Sequence, residues 1–159
     1  MNSTAHKPAT TRTSRVIRAP RRSVYQACID PGALAAWRAP DNMAANIDFF
    51  DPHAGGTYRM SLIYRDPQHP RHGKTTQEFD SFRGRFLELV PDQNIVEVTE
   101  FESDNPQFAG EMQITTTLAD TDEGTQITMI FEGIPPGIRP EDNEIGTTQS
   151  LEKLATLLE

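Results

Sequence analysis

From residue 44 to residue 133, apolar side chains recur at every second position in one segment after another, and only short polar turns separate the segments. Side chains alternate across a strand, so this period places one apolar face on each segment. Candidate strands are 44–51, 57–64, 79–90, 95–102, 111–118 and 125–133. His53-Ala54-Gly55-Gly56, Pro91-Asp92-Gln93-Asn94 and the stretch from Asp120 to Gly124 read as turns. Connections this short join antiparallel neighbours, so the middle of the chain is a meander with one face that must be covered. Gly84 interrupts the longest segment and is expected to mark a bulge or bend.

The cover comes from the two ends. Residues 12–19 suit a short edge strand, which adds a seventh candidate. Ala19-Pro20 opens a helical stretch in which Val24, Ala27 and Cys28 share a face. Asp30-Pro31 stops it, and Asp30 can cap a second short helix through Leu34 to Trp37. At the far end, the Ile134-Pro135-Pro136-Gly137 sequence breaks the last strand. Glu141, Asp142 and Glu144 then sit where carboxylates favour a helix N-terminus. Ile145, Leu151, Leu154, Ala155 and Leu158 form one apolar stripe. The expected fold is α+β: a curved antiparallel sheet of six or seven strands around a long C-terminal helix, with two short helices after the first strand. Such a layout tends to leave a cavity between sheet and helix.

Length and composition fit one domain of this kind. A chain near 159 residues buries roughly 70% of its unfolded surface, enough for a core without disulfides. The single cysteine excludes an internal disulfide framework. No apolar run approaches the roughly 20 residues of a membrane span, and the first 25 residues hold no apolar signal-peptide core. A cytoplasmic protein without membrane contact is therefore expected. The formal charge is −8, unevenly spread. No acidic residue precedes Asp30, whereas Lys7, Arg12, Arg15, Arg18, Arg21 and Arg22 do; the rest of the chain carries nine basic against 23 acidic side chains. The basic start reads as a disordered tail over 1–11 ahead of a single domain over 12–159, with a targeting presequence as the alternative. A domain this acidic is a poor polyanion binder, so nucleic acid is not an expected partner. The same balance suggests neutral or weakly cationic ligands.

Several motifs then carry a resemblance. They are Arg15 to Trp37 (R-x-I-x-A-P-x-x-x-V-Y-x-A-C-I-D-P-x-x-L-x-x-W), D-P-H-A-G-G-T-Y-R-M from Asp51 and G-R-F-L-E-L-V-P from Gly84. G-T-Q-I-T-M from Gly124 and S-L-E-K-L-A-T-L-L-E from Ser150 complete the set. In this order they resemble proteins similar to the activator of heat-shock protein 90 ATPase, in the START-like helix-grip superfamily that also holds polyketide cyclases. The resemblance implies a helix-grip fold and raises a stress-response association. Two departures stand out. Thr147-Thr148 occupies the place of a tryptophan common early in the terminal helix, and Glu97 or Thr99 replaces an aromatic common in the strand after the Pro-Asp turn. Both imply a less aromatic, more polar cavity.

Few residues suggest chemistry. Cys28, on an apolar face, reads as a packing thiol. No G-x-S-x-G elbow occurs. Gly55-Gly56 lacks the Lys-Ser/Thr of a phosphate loop and reads as a tight turn needing positive φ, with His53 capping it. His69 and His72 have metal-pair spacing, but nothing completes a site, so neither metal nor cofactor is expected. Glu97 has two readings. Sharing an inner face with Thr99 and Phe101, it would be a carboxylate in an apolar pocket, able to act as acid, base or anchor. With Val96 and Val98 inward, the simpler reading, it is solvated. Arg83 and Arg85 are expected in solvent.

The candidate ligand wall consists of Tyr58, Met60 and Leu62 on one strand and Phe82 and Phe86 on the next. Met112, Ile114, Met129 and Phe131 follow on later strands, with Glu97 and Phe101 joining if their strand presents that face. Trp37 is expected to close one mouth. Three functions are expected from this set. A binding module would enclose a small hydrophobic or amphipathic molecule. A cyclase-like enzyme would use Glu97 or Tyr58 as acid or base. A chaperone-type interaction module is the third, weakened because the co-chaperone carries a further contact domain not evident in this sequence. The edge at 12–19 could also pair two chains as a homodimer.

Overall fold

The computed structural model describes residues 9–41, 43–64 and 79–159. Strand β1 (Ala9–Ile17) leads into helices α1 (Arg21–Ile29) and α2 (Pro31–Trp37). Strands β2 (Met43–Phe50), β3 (Thr57–Tyr64), β4 (Phe79–Val90), β5 (Asn94–Phe101), β6 (Met112–Thr121) and β7 (Gly124–Ile134) follow, and helix α3 (Pro140–Leu158) ends the chain. The strands make one antiparallel sheet in the order β1-β7-β6-β5-β4-β3-β2, curled into a half-barrel. The first strand thus pairs with the last, and β1 and β2 form the two edges.

The expected elements are present, with differences at their ends. β1 begins at Ala9, inside the stretch expected to be tail, because Ala9 to Arg12 continue the ladder with β7 as far as Ile134. The His69 and His72 pair lies outside the described residues, as does His6. Among the described residues, no group of three or more His, Cys, Asp or Glu side chains is placed to hold a metal ion.

Local chemistry explains the joints. Asp30 ends α1 and caps α2, its Oδ2 accepting the Ala33 N–H at 2.8 Å, and Pro31 occupies the first helical turn. In the β2–β3 turn Gly55 has φ +85°, and the Gly56 N–H donates to the His53 carbonyl at 2.7 Å. The His53 side chain pairs instead with Asp51, so its backbone, not its ring, holds the turn. Gly84 is neither bulge nor bend. The register slip in β4 falls between Phe86 and Glu88, leaving Leu87 exposed. A Cβ on Gly84 would lie 2.0 Å from the Tyr58 ring, so the glycine provides room for that ring on the neighbouring strand.

The core lies between the concave face of the sheet and the helices. Ile17, Val24, Leu34, Tyr58, Met60, Ile114, Ile127, Met129, Leu151 and Leu154 are all buried there. α3 contributes Leu151, Leu154 and Ala155 from its last two turns. Ile145, at the start of the expected stripe, is 57% exposed. The Ser150 hydroxyl donates to the Arg38 carbonyl at 2.9 Å and the Lys153 ammonium to the Ala39 carbonyl at 2.6 Å. These bonds tie the second half of α3 to the loop after α2.

Loss of the only side-chain cap on α2 should be measurable. Asp30→Ala is expected to lower stability by about 1 kcal/mol, seen as a lower urea midpoint with an unchanged slope.

Candidate functional site

A cavity of about 940 Å³ lies between the concave sheet and the first half of α3. That size is at the upper end of what small-molecule sites occupy, roughly 300–1,000 Å³. The sheet supplies an apolar floor: Met60, Leu62, Phe82, Phe101, Met112, Ile114, Met129 and Phe131. The opposite wall is more polar, with Asp142, Asn143, Gly146, Thr147, Gln149 and Ser150 from α3 beside the apolar Ile145. Arg38, Pro40, Asp41 and Met43 line one side, and Phe108, Gly137, Ile138 and Arg139 another. The lining is therefore amphipathic, apolar on the sheet and hydrogen-bonding on the helix.

Eight of the 12 sequence-predicted residues line this space: Met60, Leu62, Phe82, Phe101, Met112, Ile114, Met129 and Phe131. Four do not. Trp37 closes no mouth: it is 1% exposed, and its indole N–H donates to the Ala27 carbonyl at 2.9 Å, joining α2 to α1. Phe86 packs away from the cavity against Phe50 and Tyr58, with ring centroids 5.5 and 5.3 Å apart. Tyr58 and Glu97 are the other two, and they meet each other.

β5 presents Ile95, Glu97 and Thr99 inward, all buried, while Val96 and Val98 are only half-buried. The simpler expectation of a solvated Glu97 is thereby overturned. Glu97 is 4% exposed and accepts a hydrogen bond from the Tyr58 hydroxyl. Three strands cooperate in this contact. The Tyr58 ring leaves β3, crosses the empty position at Gly84 on β4 and reaches Glu97 on β5. Burial next to Glu97 holds the Tyr58 phenol well above its ordinary value, because the phenolate would be both desolvated and repelled. No buried side-chain nitrogen or oxygen among the described residues lacks a partner, so the pair is a satisfied interior contact.

Cys28 is buried nearby on α1. Burial pushes its thiol up to about 12, with Arg38 opposing the shift and Glu97 adding to it. A thiol in that state is a packing group, not a nucleophile. Arg83 and Arg85 are exposed as expected; Arg83 and Arg59 both bind Glu102 on the convex face.

The sequence reading missed the parts of the lining that come from loops and from polar helix positions. Phe108 sits in a single 3-10 turn, Pro106–Phe108, and its ring continues an aromatic row from Phe82 through Phe101 at 5.9 and 6.3 Å. A Cβ on Gly137 would meet that ring at 2.7 Å, so this glycine lets the loop close over the cavity. Thr147 is buried and its hydroxyl donates to the Asn143 carbonyl at 2.7 Å, while Thr148 is exposed.

These features define a helix-grip domain with a cavity between its sheet and its C-terminal helix. The chain belongs to the family described as activator of Hsp90 ATPase homolog 1-like protein, whose model matches residues 18–159. Among solved structures, a protein from Chromobacterium violaceum is 35% identical with a TM-score of 0.84, over 94% of this chain and 96% of that one. Two others share the fold at low identity. One from Rhodobacter sphaeroides is 18% identical with a TM-score of 0.76, covering 94% and 91% of the two chains. One from Arthrobacter aurescens is 14% identical with a TM-score of 0.78, covering 94% and 85%. No curated protein matches the chain. No helix among the described residues is long and apolar enough to cross a membrane.

Two outcomes follow from the buried groups. Tyr58→Phe leaves the Glu97 carboxylate without its donor and should cost about 1–3 kcal/mol in denaturant unfolding. Glu97→Gln, which retains an acceptor, should cost less. Cys28 and Tyr58 both fold as neutral acids. Below their ordinary values of 9.0 and 10.0 they are neutral folded and unfolded, so their contribution is complete. Above pH 9 the unfolded chain ionises first and stability falls as pH rises. Cys28→Ala should remove the earliest part of that fall in a series of urea midpoints taken upward from pH 8.

Proposed function

We propose that this protein is a binding module that encloses one small apolar or amphipathic molecule between its sheet and α3. The observation that carries the reading is the cavity itself, about 940 Å³ with a continuous apolar floor on one side and hydrogen-bonding groups on the other. Burying even 200 Å² of apolar ligand surface contributes about 5 kcal/mol before the cost of association. Met43, Met60, Met112 and Met129 in the lining favour adaptable contacts, because methionine side chains reshape at little cost.

Enclosure is favoured over turnover by the position of the two groups that a cyclase-like reaction would use. Tyr58 and Glu97 are outside the lining and satisfy each other, so neither is offered to a substrate. Chaperone-type interaction, which the family's description evokes, draws on no feature of the cavity.

A thermal-shift screen with a library of neutral and charged hydrophobic compounds tests the reading. At about a hundredfold excess over Kd a ligand adds about 2.7 kcal/mol, which raises Tm by about 5–10 °C in a domain of this size. Met60→Trp, which fills the floor of the cavity, should abolish the shift. No shift from any compound, or an equal shift in Met60→Trp, would remove the proposal.

A further inference from the structure

The polarity of the cavity is not symmetrical, and one charged group stands apart. Arg38 ends α2, its backbone N–H bonding the Leu34 carbonyl at 2.9 Å. Its own carbonyl accepts from Ser150 on α3, so the backbone is fixed from two sides. Arg38 is one of the residues that line the cavity, and its guanidinium carbon lies 5.8 Å from the Trp37 ring centroid. At that distance the guanidinium is within cation–π range of a buried indole. Its charge is felt inside the domain, since it opposes the upward shifts of both Cys28 and Tyr58.

No carboxylate among the described residues pairs with this guanidinium. Glu97, the nearby interior acid, is turned to Tyr58. The other cation in the lining, Arg139, is 70% exposed and bound to Glu141 at 3.1 Å. Two acids share the lining: Asp41, on the same side as Arg38, is 66% exposed and faces Lys153 at 3.8 Å, and Asp142, on α3, is exposed. Among the described residues Arg38 is thus the uncommitted cation on the wall, next to an apolar floor of methionine and phenylalanine.

We infer that Arg38 anchors the head group of an anionic ligand, so that the molecule enclosed is an amphipathic organic anion with an apolar body. Its body would lie on Met60, Phe82, Met112 and Phe131, and its head would meet the guanidinium through charge-assisted hydrogen bonds. The inference rests on the enclosed-ligand reading and narrows it. It also departs from the ligand charge suggested by the whole chain: an acidic surface sets the long-range field, but an unpaired arginine on a partly desolvated wall sets the local one.

Two fluorescent probes that differ by one sulfonate separate the readings. N-phenyl-1-naphthylamine is neutral, and 1-anilinonaphthalene-8-sulfonate carries a single negative charge on the same aromatic body. Both are expected to bind the full chain, and Met60→Trp is expected to weaken both. Arg38→Gln should weaken the sulfonate by about tenfold, the size of one lost charge-assisted contact, and leave the neutral probe unchanged. Arg38→Lys should retain most of the sulfonate affinity. Unchanged binding of the neutral probe also reports that each Arg38 variant has folded with its cavity intact. If both probes bind but Arg38→Gln treats them alike, the anion anchor is wrong and the enclosed-ligand reading stands. If neither probe binds the wild-type chain, the cavity reading falls and the anchor falls with it.

Discussion

The cavity depends on a change in side-chain size along the inward face of α3. The positions that face the sheet begin with Asn143, Gly146 and Thr147, which are small or polar, and continue with Leu151, Leu154 and Ala155, which are buried. The second half of the helix is held by apolar contact and by Ser150 and Lys153, whose hydrogen bonds reach the loop after α2. The first half carries too little side-chain volume to fill the curve of the sheet. Close packing is the default state of a protein interior, so an opening this large requires a helix fixed at one end and slender at the other.

The closed end of the domain is organised around a different constraint. Gly84 leaves a gap in the face of β4, the Tyr58 ring occupies that gap, and its hydroxyl satisfies Glu97 beyond it. Phe50 and Phe86 pack around the ring. A carboxylate and a phenol that would otherwise be expensive to bury are thereby retained as a bonded pair spanning three strands. The two ends divide the work: one holds a filled aromatic and polar core, and the other holds open space with Arg38 on its wall.

Much of this was legible in the sequence because period-two alternation dictates which side chains share a face. Met60 and Leu62, Phe82, Met112 with Ile114, and Met129 with Phe131 all reach the cavity as their alternation requires. Alternation could not decide the face of β5, where valines and polar residues compete. Tertiary pairing decided it, since Glu97 had a donor waiting in Tyr58. Nor could it distinguish Phe86 from Phe82 on the same strand, because depth along the sheet depends on where α3 stops filling the curve. Trp37 at a helix end resembles a lid in sequence, and only the Ala27 carbonyl beneath it makes it core. Arg38, Phe108 and Asn143 lie in loops or at polar helix positions where no periodicity operates. The overall charge also misdirects, because it averages over a surface that the cavity does not share.

If the space under α3 holds a ligand and is not merely left by packing, the methionines that line it will report the occupant. The chain has five methionines, of which Met43, Met60, Met112 and Met129 line the cavity, while Met1 lies outside the described residues. Methyl NMR of methionine-labelled protein titrated with N-phenyl-1-naphthylamine reads the four directly. Saturable shifts are expected at the four lining methyls. Lining methyls that stay in place at saturating probe would contradict the enclosed-ligand reading.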